Sequence, residues 1–76
     1  MKEILNMFII SLVDEKDKVT IEEISNEKNV TFNVAVAEND IGKVIGRQGK
    51  IAKSIRTVIR AVAVKEGKRV NIEFNA

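Results

Sequence analysis

The chain has no cysteine, histidine, proline, tryptophan or tyrosine, and its 76 residues include only three phenylalanines. Each absence excludes a class of function. Without cysteine there is neither a disulfide frame nor a thiolate zinc site, and without histidine the usual general base and the commonest metal ligand are missing too. Phe8, Phe32 and Phe74 each fall on an apolar stripe or an alternating strand pattern. That leaves no exposed aromatic platform of the kind on which RRM and cold-shock modules stack bases. Long apolar runs are also missing. Met7 to Ile10 is preceded by Glu3 and broken by Ser11, far short of the roughly 20 residues a bilayer span needs. With no signal peptide, a cytoplasmic location and no membrane partner are expected, and the lack of cysteine agrees with this. No repeat, low-complexity segment or linker divides the chain, so residues 1–76 are expected to form one small domain with little stability to spare.

What is present is charge, unevenly placed. The formal net charge is +2, yet residues 1–40 carry −5 and residues 41–76 carry +7. From Ile41 through Lys65 there is no Asp or Glu, while Lys43, Arg47, Lys50, Lys53, Arg56, Arg60 and Lys65 recur at helix-like spacing. A run of one sign along a helix points to a phosphate-bearing partner. For Lys53, Arg56 and Arg60 taken singly, a solvated helix face explains the sequence equally well. The Glu22-Glu23 pair reads as a solvated strand edge, since nothing else marks a metal or acid–base site.

Hydrophobic period supplies the elements. Ile4, Leu5, Phe8, Ile9 and Leu12 form one stripe of a helix over residues 2–14. Val19 and Ile21 alternate with polar neighbours, as do Val30, Phe32, Val34 and Val36, which predicts two strands joined by a turn at Ser25–Asn29. Glu38-Asn39-Asp40 offers N-capping side chains to a short second helix. Ile51, Ile55, Val58, Ile59 and Val62 then predict a long third helix with Lys53, Arg56 and Arg60 on the other side, stopped by Gly67. Val70, Ile72 and Phe74 make a final strand.

Between the second and third helices stands Gly46-Arg47-Gln48-Gly49, flanked by Lys43 and Lys50. Glycine lacks Cβ and tolerates positive φ, so this backbone can run close to a bulky anionic ligand. Two other phosphate cradles do not fit. A Walker A loop needs Gly, four residues, then Gly-Lys-Ser/Thr, but Val44 stands five before Gly49 and Ile51 follows Lys50. A dinucleotide fingerprint needs Gly-x-Gly-x-x-Gly, and the spacing of Gly42, Gly46 and Gly49 is different.

The run Asp40-Ile41-Gly42-Lys43-Val44-Ile45-Gly46-Arg47-Gln48-Gly49-Lys50, with Ala52-Lys53-Ser54-Ile55-Arg56 behind it, resembles the signature of the KH domain. In that module a Gly-x-x-Gly loop joins two helices and clamps about four nucleotides by their backbone. The order α-β-β-α-α-β resembles the type II arrangement, and the nearest likeness is to the small bacterial stand-alone KH proteins of the KhpA type. The resemblance implies an α+β fold, with three helices packed on one face of a three-stranded mixed sheet. It also implies single-stranded RNA binding by Lys43, Val44, Ile45, Gly46, Arg47, Gln48, Gly49, Lys50 and Lys53. Gly46 and Gly49 would admit the backbone, Arg47 and Lys50 would meet phosphates, and Gln48 would add a neutral hydrogen bond. Val44 or Ile45 would floor an apolar groove walled by Val34 or Val36. No catalytic residue, cofactor or metal is implied. An RNA chaperone or post-transcriptional regulator linked to cell elongation and division is implied, as are a homodimer and a heteromer with a larger Jag-type (KhpB-like) KH protein. Met7, Ile10, Ala61 and Val64 lie off the apolar stripes, which keeps open a second reading, a dimerising adaptor that uses the KH fold for protein contacts.

Overall fold

The computed structural model describes residues 1–76. Its first helix, α1 (Lys2–Leu12), turns Leu5 and Ile9 fully inward and ends where Val13 takes an extended backbone. A short turn follows. Strand β1 (Thr20–Ser25) and strand β2 (Asn29–Ala35) then pair antiparallel, Thr20 against Ala35 and Ser25 against Val30. Asn26 shapes the connection. Its Oδ1 accepts the backbone N–H groups of Lys28 and Asn29 at 3.1 and 2.9 Å, so one side chain replaces the partners the turn backbone lacks.

Strand β3 (Arg69–Asn75) lies parallel to β2 on its other side, from Asn29 against Arg69 to Ala35 against Asn75. Two parallel neighbours need a crossover rather than a tight turn. Helices α2 (Ile41–Ile45) and α3 (Lys50–Lys65) supply it. The sheet order is β1-β2-β3, a mixed three-stranded sheet, and the element sequence α-β-β-α-α-β is the one the hydrophobic pattern predicts.

Alternation along the strands puts Val30, Phe32, Val34 and Ile72 on the helix-covered face, leaving Asn71, Glu73 and Asn75 exposed on the other. Leu5, Ile9, Val44, Ile55 and Ile59 close the core from the helices. One expectation shifts here. The buried line of α3 is Ala52, Ile55, Ile59 and Ala63, whereas Val58 is 42% exposed. Only small side chains fit where α3 presses closest, so two alanines take core positions and the larger valine turns outward.

Candidate nucleic-acid interface

Helix α2 is five residues long because Gly46 ends it with φ 75° and ψ 175°. Two more residues of the loop have positive φ, Gln48 at 56° and Gly49 at 73°. The two glycines are required for different reasons. A Cβ on Gly46 would lie 2.6 Å from Cγ1 of Ile51, while one on Gly49 would meet nothing within 4 Å. Gly46 is thus demanded by packing and conformation together, Gly49 by conformation alone. The loop turns so tightly that the Gly49 N–H reaches the Gly46 carbonyl at 3.2 Å.

From Gly49, α3 starts without a side-chain cap. The Lys50 N–H is already taken by the Arg47 carbonyl, so it is the remaining first-turn N–H groups that sit at the positive end of this sixteen-residue helix, an end that favours an anion. Arg47, Gln48, Lys50 and Lys53 stand exposed around that end, and none of the three cations among them forms an ion pair.

Lys43 is engaged elsewhere. Its ammonium pairs with Asp14 and lies 3.4 Å from Asp40. The Asp14 carboxylate, followed by that of Asp40, raises its pKa above the usual lysine range, against the opposing effect of burial. Asp40 was expected to cap α2, but it makes no capping hydrogen bond. Its side chain is wholly buried and accepts the N–H groups of Glu15 at 2.9 Å and Asp14 at 3.2 Å. The Glu15 N–H, with help from Asp14 and Lys43, holds its carboxyl below the usual aspartate range despite burial. The residue thus ties the turn after α1 to the start of α2. An acidic residue just before a helix gives the same sequence signal whether it caps or reaches across, so this role was not legible beforehand.

The groove beside the loop also differs in detail from expectation. Val44 is fully buried, as are Val34 and Val36, so none of the three has surface to offer a base. Ile45 is the half-exposed member of its pair. Helix α3 reaches over the free edge of β3. There the Arg56 guanidinium donates to the Ile72 carbonyl at 3.3 to 3.4 Å and sits 5.2 Å from the Phe74 ring centroid. Arg56 is therefore more than a solvated helix face. It covers an otherwise unpaired edge carbonyl and stacks on an aromatic face, and only tertiary structure could show that pairing of residues 56 and 74.

Comparison with known proteins gives the family. Residues 2–74 match the family model described as KhpA/KhpB, KH domain. Among relatives, the RNA-binding protein KhpA of Clostridium acetobutylicum is 52% identical over 74 residues, covering 97% of this chain and 99% of that one. The RNA-binding protein KhpA of Aquifex aeolicus is 45% identical, covering 97% and 94%. In three dimensions the chain is similar to Era of Aquifex aeolicus bound to GDP and aluminium fluoride, with a TM-score of 0.66, 19% identity, and coverage of 95% of this chain. Era in complex with MgGDPNP and a segment of 16S ribosomal RNA gives a TM-score of 0.67 at 19% identity. The chain spans 28% of each Era chain, and the likeness to them is one of fold. On the whole-chain family match and the identity to its relatives, this chain belongs to the KhpA/KhpB family of KH domains.

Proposed function

We propose that this chain binds single-stranded RNA, with the Gly46–Gly49 loop taking the sugar–phosphate backbone and no chemistry performed on it. The observation that carries the reading is the start of α3, which has no side-chain cap and is ringed by the unpaired Arg47, Lys50 and Lys53 behind a loop in which three residues have positive φ. The half-exposed Ile45 adjoins it in the chain. The relatives' description as RNA-binding proteins supports the same conclusion. No helix is long and apolar enough to cross a membrane, and the reading places the protein in the cytoplasm as an RNA chaperone or post-transcriptional regulator connected with cell elongation and division.

The test is the double substitution Arg47→Asp, Gln48→Asp. Both glycines remain, and Asp tolerates the left-handed backbone at position 48, so the variant should fold. Losing one charge-assisted hydrogen bond, worth about 1.5–3 kcal/mol, should weaken binding to short single-stranded RNA about tenfold or more. Fluorescence anisotropy at two salt concentrations, with circular dichroism as the fold check, reads the result. Unchanged affinity in a folded variant would remove the loop from the interface.

One observation favours a second function on the same fold, the paired adaptor. Between α1 and α3 runs a shallow groove lined by Phe8, Leu12, Ile55 and Val58, with Lys50 and Ile51 at its loop end, and Val58 is 42% exposed. Such a face suits a second copy or a larger Jag-type (KhpB-like) KH partner. Val58→Asp should keep the fold, abolish self-association in sedimentation velocity and leave RNA affinity within about twofold, since a site this exposed tolerates change. A monomeric wild type would dismiss the homodimer.

A further inference from the structure

The far end of α3 carries a second cationic site that the loop does not explain. Arg60, Lys68 and Arg69 rim a shallow depression whose floor is Ala63, Val64 and Val70. No acidic side chain lines it, and none of its three cations forms an ion pair.

A helix C-terminus ordinarily repels anions through its dipole. Here that end is closed. The N–H groups of Glu66 and Lys68 both donate to the Ala63 carbonyl and that of Gly67 to the Val64 carbonyl, at 2.9 to 3.0 Å, with Gly67 at φ 70°. The Ala63 and Val64 carbonyls are thus already engaged rather than free, and the surrounding cations outnumber Glu66, which does not line the depression.

The site is continuous with the loop. Lys53, Arg56 and Arg60 fall three and four residues apart on one face of α3, Arg56 lies over the β3 edge at Ile72, and the depression opens beyond it where α3 and β3 meet. Gly49 and Arg60 are separated by roughly 16 Å at 1.5 Å per residue. A strand stacked at about 3.4 Å per nucleotide needs roughly five nucleotides to cover that length, more than the four or so that a Gly-x-x-Gly loop clamps.

Resting on the reading of the loop as an RNA clamp, we infer that the same single strand continues along the α3–β3 seam and is held a second time at Arg60, Lys68 and Arg69, its base on the Val64–Val70 floor and its phosphates on the rim. An apolar floor 74% exposed at Val64 inside a cationic rim fits a nucleotide. A purely electrostatic surface would need no such floor.

The test compares oligouridylates of about four and about ten nucleotides on wild type, the loop double variant, and the triple variant Arg60→Ala, Lys68→Ala, Arg69→Ala, with thermal melts confirming that all three fold. Wild type should bind the longer strand about tenfold more tightly. The triple variant should lose that advantage and keep its affinity for the shorter strand, and its salt slope on the longer strand should fall by roughly 0.7 for each lost phosphate contact. Equal binding of both lengths by wild type, or a triple variant weakened equally on both, would overturn the second site while leaving the loop reading intact. Failure of wild type to bind either length would overturn both.

Discussion

Replacing Gly46 with alanine is expected to lower the melting temperature by roughly 10 °C or more, about twice the loss from Gly49→Ala, at about 4–8 °C per kcal/mol for a domain of this size. At Gly49 the penalty is that of the left-handed region alone, about 1–2 kcal/mol for an L-residue. At Gly46 the backbone, φ 75° and ψ 175°, lies in a region reserved for glycine, costing about 1–3 kcal/mol. Steric overlap comes on top. The new methyl would lie 2.6 Å from Cγ1, 2.9 Å from Cβ and 2.9 Å from Cδ1 of Ile51. A rotamer change moves Cγ1 and Cδ1, but Cβ is fixed by the start of α3, so the helix itself must shift, at about 1–3 kcal/mol. Against a total stability of about 4–11 kcal/mol for a chain of this length, much of the fold's margin disappears. RNA affinity should fall too, since the displaced helix end is the one proposed to meet phosphate. Ile51→Ala added to Gly46→Ala should restore part of the loss, because it removes two of the three close atoms. Equal melting temperatures for the two alanine variants would show that Ile51 yields without cost.

That contrast between the two glycines marks how far sequence alone reaches. The motif names both glycines and the helix stripes name the elements, because apolar side chains at helical or alternating spacing can be buried on only one face. The turn at Asn26 and the strand at Val70–Phe74 were legible for the same local reason. Less legible was anything decided between elements. Val58 carries the stronger hydrophobic signal, yet Ala52 and Ala63 take the buried places, since the distance between α3 and its neighbours, not residue polarity, selects volume. Lys43, beside the loop in sequence, gives its charge to Asp14 and Asp40. Arg56, with no special mark, stands over Phe74 and the edge of β3. A basic residue's partner is a tertiary fact, and spacing along one helix does not contain it.

Asp40 yields the other large effect, one that depends on pH. Its carboxylate is the single acceptor for two backbone N–H groups, of Asp14 and Glu15, and it is wholly buried, so no water can take its place. The Glu15 N–H leads in holding its pKa below the ordinary aspartate range. A carboxyl depressed on folding stabilises the native state at pH values above its unfolded value, about 3.9, and that stability is lost as pH falls through the folded value. Asp40→Asn keeps the shape but removes the charge, and whichever way the amide sits, it brings a donor towards the backbone N–H groups. The variant should therefore melt well below wild type at neutral pH. The gap should close under acid, where protonation imposes the same loss on wild type. Lys43→Met should cost less, because Asp14 is 75% exposed and rehydrates, while the buried Asp40 loses one cation but keeps both of its backbone N–H donors. Because Asp40 joins the turn after α1 to α2, the helix leading into the Gly46–Gly49 loop, Asp40→Asn should also weaken RNA binding at temperatures where the variant remains folded. Melting curves at neutral and acid pH, with anisotropy well below the transition, test both effects. A variant matching wild type across that range would show that the turn and the loop are held independently of Asp40.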